Sequence, residues 1–547
     1  MILLATLLAF GLHGAEDDAA LFRDVSREAG LDFRYSNGMS GSFYLPEIMG
    51  GGVALFDCDQ DADLDVFLPQ GGSLTERSSR PAGKLLRNRL ETGTLSFEDQ
   101  SAAGGMTDDA YGMGVLSADL DGDGRVDLYV LNLGRNRFWH NLGDCRFEDR
   151  TEASGLGDES WSISAVPFDY DRDGDLDLYV VNYLDFALHR HRICPSEAAA
   201  EDYCGPLTYP GQADRLYRND GGGRFSEITE EAGVLAPTSR GMAATAADFN
   251  GDGLLDLYVA NDQMPNHLWI NQGDGTFADD ALFAGVALNE RGQVEASMGL
   301  EAADFDGDGD EDLFISNLRA ETSTLYLGEG DGLFVDATSS SGLNSLSFPY
   351  TGFGTVALDA DGDGCLYLAV VNGAIKALEE NEGSAYPLHQ PNQLFRCVAL
   401  GEPRFEEASK RLPETEREAV SRGLAVGDID NDGRPDLLLV NSAAPARLLL
   451  NQRPEVPWIG VSLVARNAAP DGLGSRVGLL GADGRIARWL RARSDGSYAS
   501  SSDPRLLFAS PGSAVRVRVV WTSGRTEDFD VRPGRYQTLT EGEGATR

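Results

Sequence analysis

Apolar residues come along this chain in bursts of four to eight, separated by Gly, Asn and Asp, and the bursts recur in a fixed order. Between residues 112 and 156 the order is GMGVLSAD, an acidic loop ending at Asp127, LYVLN, RNRFWHNLG and CRFEDRTEASGL. Each burst is rich in β-branched and aromatic residues and too short for an ordinary helix, so the pattern predicts a four-stranded antiparallel unit. The order returns at 241–287 as GMAATAAD, LYVAN, NHLWINQG and TFADDALFAGV, and with variation in the other repeats.

Seven acidic loops of pattern DxDxDGxxD mark the repeats, starting at Asp57, Asp119, Asp169, Asp248, Asp304, Asp359 and Asp428. A single four-stranded sheet cannot cover both its faces, so seven in series predict radial packing: an all-β, seven-bladed β-propeller. The fourth-strand signature follows six of the loops, at Phe97, Phe147, Phe225, Phe277, Phe334 and Phe405. Its seventh copy, Phe22 to Leu31, stands before the first loop. A chain that begins with the last strand of its final blade can close the ring by pairing its two ends, which removes exposed sheet edges.

The loops carry the candidate chemistry. Asp at positions 1, 3, 5 and 9 with a backbone carbonyl at position 7 gives oxygen-only donors, which suit Ca²⁺. The side-chain ligands are Asp57, Asp59, Asp61 and Asp65; Asp119, Asp121, Asp123 and Asp127; and Asp169, Asp171, Asp173 and Asp177. In the later loops they are Asp248, Asn250, Asp252 and Asp256; Asp304, Asp306, Asp308 and Asp312; and Asp428, Asp430, Asp432 and Asp436. The carbonyls come from Asp63, Arg125, Asp175, Leu254, Asp310 and Arg434. The sixth loop keeps Asp359, Asp361 and Asp363 but has Tyr367 at position 9, and the first has Ala62 in place of Gly. An EF-hand is excluded because it needs a Glu at position 12, where these loops have Leu68, Val130, Val180, Val259, Ile315, Val370 and Leu439. About six or seven Ca²⁺ ions are expected, stapling blades and not acting on a substrate.

Charge and cysteines narrow the setting. The net charge of −43 repels nucleic acid and anionic membranes, and 30 of the 88 acids lie in the loops, where cations are expected. Residues 2–12, ILLATLLAFGL, are too short to span a bilayer and precede Gly14 and Ala15, so 1–15 reads as a secretory signal. Cys194 and Cys204 fit a loop staple in an irregular, Pro-rich segment. Cys365 with Cys397, and Cys58 with Cys145, fall on a common face as compatible pairs whose joining the spacing does not decide.

The repeat GMGVLSADLDGDGRVDLYVLN resembles the FG-GAP repeats of integrin α-subunit propellers. The order of parts, including YCGPLTYPGQADRLYRNDGGGRF at 203–225, resembles the cartilage acidic protein family and its bacterial relatives. From Trp458 the segments GLGSRVGLLG, SDGSYASSSDPRLLF and VVWTSGRTEDF resemble the ASPIC/UnbV domain, although Phe508-Ala-Ser-Pro511 replaces that family's glycine-rich FGLG. The resemblance implies a secreted Ca²⁺-binding propeller over 16–452 followed by a small β-domain over 453–547.

The loops are links between first and second strands. The insertions 69–84, 183–213 and 373–391 are second-to-third links and belong to the opposite face, where recognition would reside. No GxSxG, HExxH or GxxxxGK[ST] motif is present, and the one visible histidine cluster, His189-Arg190-His191, lies in an insertion. The reading is an extracellular recognition or adhesion module for protein or glycan, at the cell surface or in the periplasm if bacterial. The alternative is a propeller enzyme, either a polysaccharide lyase or hydrolase or a tailoring enzyme of secondary metabolism.

Overall fold

The computed structural model describes residues 20–547 apart from 108, 197–198, 379–380, 382–387, 418 and 510–514. The expected leader, part of the 373–391 insertion, and Ser510 and Pro511 of the tail turn lie outside the described residues.

Seven antiparallel sheets of the expected order surround one axis. Blade 4 is typical, with strands Gly241–Ala247, Asp256–Asn261, His267–Asn271 and Phe277–Asp279 paired in sequence. Blade 2 differs in that its second and third segments run together as one strand, Asp127–Asn141, because the link between them is too short to leave the sheet. The first strands are innermost. Each packs beside that of the next blade, and the first strand of blade 7 (Ser421–Gly427) packs beside that of blade 1 (Ala54–Phe56), which closes the ring. The chain's opening strand, Phe22–Asp24, completes blade 7 by pairing Phe22 with Asn451 and Asp24 with Leu449.

The core is divided as radial packing requires. Separate apolar clusters lie between consecutive blades: Leu55, Val66, Leu438 and Val440 between blades 7 and 1, and Leu313, Ile315, Tyr258 and Leu268 between blades 4 and 5. Each sheet thus buries both faces against its neighbours, and no blade is stable as an isolated unit.

The tail folds as two sheets. Trp458–Val464 pairs antiparallel with Leu506–Ala509 and parallel with Tyr536–Thr540, facing a five-stranded sheet built on Arg476–Leu480 and Val515–Val520. Their shared core holds Ile459, Val461, Phe508, Val517 and Trp521.

Between its strands Ile486–Arg491 and Leu506–Ala509 the tail sends residues 494–503 down the propeller axis. Ser497 exchanges backbone hydrogen bonds with Leu300 of blade 5 (2.5 and 3.0 Å), and its hydroxyl donates to the Leu424 carbonyl of blade 7 (2.8 Å). The Thr355 amide of blade 6 donates to that hydroxyl at 3.2 Å. The Ala499 carbonyl accepts from Val115 of blade 2, Ser501 bridges Val53 and Leu55 of blade 1, and Asp495 accepts from Ala246 of blade 4. The inner strands must be slim to admit this plug: a β-carbon on Gly52 would overlap the Ala499 carbonyl.

Candidate metal centres and the face that carries them

All seven acidic loops lie on one face, and their aspartates divide into two kinds. The position-9 residues begin the second strands and are fully buried. Each spends one oxygen on the amide of loop position 2 and the other on the amide at the end of strand 3. Asp65 accepts from Cys58 and Asn88, Asp177 from Tyr170 and Asn219, and Asp436 from Ile429 and Asn451, all between 2.7 and 3.2 Å. Asp127, Asp256 and Asp312 repeat the arrangement. Burial lifts these carboxyls well above the usual range, to about 6 for Asp127, about 7 for Asp256 and about 9 for Asp312, against the lowering effect of the amides.

The aspartates at positions 1, 3 and 5 shape the loop interior. Asp119, Asp169, Asp248 and Asp428 each accept from the glycine amide at position 6, and Asp61, Asp123, Asp173, Asp252, Asp308, Asp363 and Asp432 each accept from the amide at position 7. One buried oxygen of Asp59, Asp121, Asp169, Asp248, Asp361 and Asp430 has no hydrogen-bond donor. A buried carboxylate oxygen without a partner is costly, and a cation is the partner these cages fit. Burial and neighbouring carboxylates push Asp169 and Asp428 up to about 7, and Asp59 and Asp430 up to about 6. The donor set is oxygen-only in most loops, as Ca²⁺ requires.

The sixth loop is filled differently. The Tyr367 hydroxyl donates to Asp361 Oδ2 at 2.9 Å and accepts from Arg411 at 2.6 Å, while Arg488 of the tail bonds Asp359 Oδ2 at 2.8 Å.

Two features escaped the sequence reading. The first is an asparagine closing strand 3 in five blades, at Asn88, Asn141, Asn219, Asn271 and Asn451. Its side chain donates across to the loop of the preceding blade: Asn141 to Cys58, Asn219 to Leu120 and Asn271 to Tyr170, at 2.8 to 3.0 Å. The recurring LLRN, FWHN, LYRN, LWIN and LLLN are its signal. The second is the position of the tail, which docks on the loop face. Tyr536 donates to Asp428 Oδ2 at 3.0 Å, Arg505 donates to the Asp428 carbonyl at 3.0 Å, and Trp489 packs against Gly309. A cavity of about 170 Å³ lies between the tail and blades 5 to 7, lined by Asp304, Asp359, Asp428, Arg453, Arg488 and Arg505.

All six cysteines are paired: Cys194 with Cys204 in the long insertion, Cys365 with Cys397 across blade 6, and Cys58 with Cys145 between blades 1 and 2. On the opposite face the insertions pack inward over the axis. Tyr111, Trp161, Tyr183, Tyr203, Phe353 and Tyr498 form one cluster, and buried Arg422 lies 3.9 Å from the Phe353 ring while donating to the Ile48 and Gly373 carbonyls. The His189-Arg190-His191 segment is tied into this cover, Arg190 by Asp185 and His191 Nε2 by the Ser42 carbonyl at 2.7 Å.

An FG-GAP-like repeat model matches residues 119–180, 207–259, 248–315 and 304–370, which contain loops two to six, and an ASPIC and UnbV model matches 465–546. The chain carries FG-GAP repeats and a C-terminal ASPIC/UnbV domain. The FG-GAP geometry extends beyond the matched segments to loops one and seven. The axial plug belongs to the ASPIC/UnbV segment. Human Cartilage acidic protein 1 is 25% identical over 527 residues, 91% of this chain and 72% of the relative. The mouse protein of that name is 26% identical over 416 residues, covering 74% of this chain and 59% of the relative. Among solved structures, an Agrocybe aegerita lectin that recognises terminal N-acetylglucosamine aligns with 15% identity and a TM-score of 0.38 over 72% of this chain and 86% of its own. The rhamnogalacturonan lyase YesX aligns with 12% identity and a TM-score of 0.39 over 74% of this chain and 72% of its own. Similarity at that level carries no functional argument.

Proposed function

We propose that this chain is a secreted, Ca²⁺-stapled propeller that serves as an extracellular recognition or adhesion module for protein or glycan. In this reading residues 1–15 are the leader, 16–452 the propeller and 453–547 the tail, and the setting is periplasmic or cell-surface if the source is bacterial. The observation that carries it is the set of donorless buried oxygens on Asp59, Asp121, Asp169, Asp248 and Asp430, each inside an otherwise hydrogen-bonded loop. The relatives named Cartilage acidic protein 1 and the three disulfides support an extracellular setting. Among the described residues no helix is long and apolar enough to cross a membrane.

The tail docks on the loop face and leaves the insertion face clear of it. There Met39, Leu188, Ile193 and Leu207 are exposed around the Cys194–Cys204 staple, on a base held rigid by the buried cluster beneath. Two measurements test the reading: metal content per chain with unfolding in Ca²⁺ and in EDTA, and binding to arrayed extracellular proteins and glycans by the wild type and an Ile193→Glu/Leu207→Glu variant. Several Ca²⁺ per chain and binding lost in the variant are expected. A metal-free chain, or binding indifferent to both substitutions, refutes the corresponding half.

A further inference from the structure

The second loop contains a donor that the DxDxDGxxD pattern does not supply. His140, the third residue of FWHN on strand 3, is 3% exposed and its ring enters the loop cage from the side. Its Nδ1 lies 2.8 Å from Asp121 Oδ2 and 3.3 Å from Asp127 Oδ1, yet it makes no hydrogen bond of proper geometry and remains an orphaned buried nitrogen. Asp121 Oδ1, in the same cage, is orphaned too, while its Oδ2 also accepts a long bond from Arg150 at 3.5 Å. Asp119, Asp121 and Asp127 bring ligand atoms within 4.8 Å of one another, as do Asp121, Asp123 and His140.

The other blades show what else this position does. In blade 1 it is Arg87, which pairs with Asp59 at 2.5 Å, in blade 6 it is Arg396, 3.9 Å from Asp361, and in blade 3 it is Arg218, which pairs with Asp220 outside the cage at 2.8 Å. In blades 4, 5 and 7 it is apolar: Ile270, Leu327 and Leu450. Arginine competes with a metal and the apolar residues ignore it. Histidine alone of these can join it as a ligand.

We propose that the second loop is a mixed nitrogen–oxygen site for a first-row divalent transition ion such as Zn²⁺, with His140 Nδ1, Asp121 and Asp127 as ligands and Asp119 completing the set. The proposal rests on the reading of the loops as cation sites and gives one of them a different metal. Three physical points support it. Neutral imidazole favours transition ions, whereas Ca²⁺ takes oxygen. Adjacent donors around an ion with bonds near 2.1 Å stand about 3.0 Å apart in an octahedron and about 3.4 Å in a tetrahedron, so the Asp127 contact at 3.3 Å fits as it stands and the Asp121 contact at 2.8 Å opens by a few tenths of an ångström on binding. Placing the imidazole proton on Nε2 frees the Nδ1 lone pair that faces Asp121 and Asp127.

The test uses the full mature chain stripped with EDTA, then equilibrated with millimolar Ca²⁺ and micromolar Zn²⁺ and freed of excess metal. Both metals are counted per chain by mass spectrometry for the wild type, His140→Leu and His140→Gln. His140→Leu reproduces what blade 7 already has at Leu450, and His140→Gln guards against a packing artefact. One Zn²⁺ in the wild type, lost in both variants while Ca²⁺ is retained at the other loops, is the expected result. Replacing Zn²⁺ by Co²⁺ should give a visible ligand-field band in the wild type that both variants lose. Zn²⁺ that survives both substitutions, or a wild type that fills its loops with Ca²⁺ and takes no Zn²⁺, overturns this proposal alone. A chain that retains neither metal overturns the cation reading of the loops as well.

Discussion

The third and sixth loops share a motif and solve its electrostatic problem in opposite ways. In the third, hydrogen bonds onto Asp169, Asp171, Asp173 and Asp177 all come from backbone amides, and burial with mutual repulsion holds Asp169 near a pKa of about 7. In the sixth, Tyr367 replaces the position-9 carboxylate, its hydroxyl bonds Asp361, and Arg488 reaches in from the tail to bind Asp359. One loop has negative charge in excess of its donors, and the other has brought its own cation. The difference shows how to read a repeat: the motif makes the cage, and the residues around it decide whether a metal is needed.

The comparison breaks most decisively if metal removal does nothing. A ligand held at about 100 times its Kd stabilises the folded state by about 2.7 kcal/mol, so several filled loops would together contribute on the order of 10 kcal/mol. EDTA should therefore lower the melting temperature of the mature chain by more than about 10 °C. An unchanged melting curve would remove the distinction between the two loops.

Smaller effects sharpen it. Arg488→Met leaves Asp359 buried beside its neighbours without the arginine, at a cost of about 3 kcal/mol visible in Ca²⁺ and in EDTA alike. Adding Tyr367→Asp to that variant restores the position-9 carboxylate and should raise the Ca²⁺ count by one. An unaltered count would mean that the sixth cage is unfit for metal for a reason other than its arginine. In the third loop, Asp173→Ala should cost about 2 kcal/mol in Ca²⁺ and almost nothing in EDTA. Equal losses in the two conditions would assign Asp173 to turn structure alone.

The ring itself was legible in the sequence because its signals are local. The acidic loops, the LYVxN strands and the displaced Phe22 strand each declare themselves within ten residues, and counting them gives the blade number and the closure. What stayed hidden depends on contacts between segments far apart. The plug, SDGSYASSSD, marks itself in sequence only as part of the ASPIC/UnbV resemblance, because its serines show no apolar face; inside the channel their hydroxyls and backbone meet the inner strands of several blades. His140 sits in a run of strand residues and gains meaning only when strand 3 is laid beside the loop. Asn219 likewise acts on Leu120, 99 residues away. The insertions were placed on the correct face, but their inward packing around Tyr498 and Arg422 follows from the plug, which the sequence did not announce.

The last effect concerns protons. Without metal, Asp169, Asp256 and Asp428 titrate at about 7 and Asp312 at about 9 in the folded chain, against about 3.9 when unfolded. The folded state then holds protons that the unfolded state has released. That contribution is complete below about pH 4 and is lost as pH rises through about 7 and then about 9. In EDTA the melting temperature should accordingly fall between pH 5 and pH 9. In Ca²⁺ the ion replaces those protons, so the stabilisation it adds should be greatest at pH 9 and fade as the carboxyls reprotonate below about pH 6. The sixth loop, whose Asp359 and Asp361 are already bonded to Arg488 and Tyr367, should take no part. In the Arg488→Met/Tyr367→Asp variant a seventh carboxylate cage joins the others, so the gap between the EDTA and Ca²⁺ curves at pH 9 should widen. Parallel curves in the two conditions would show that protons and calcium do not compete for the same oxygens.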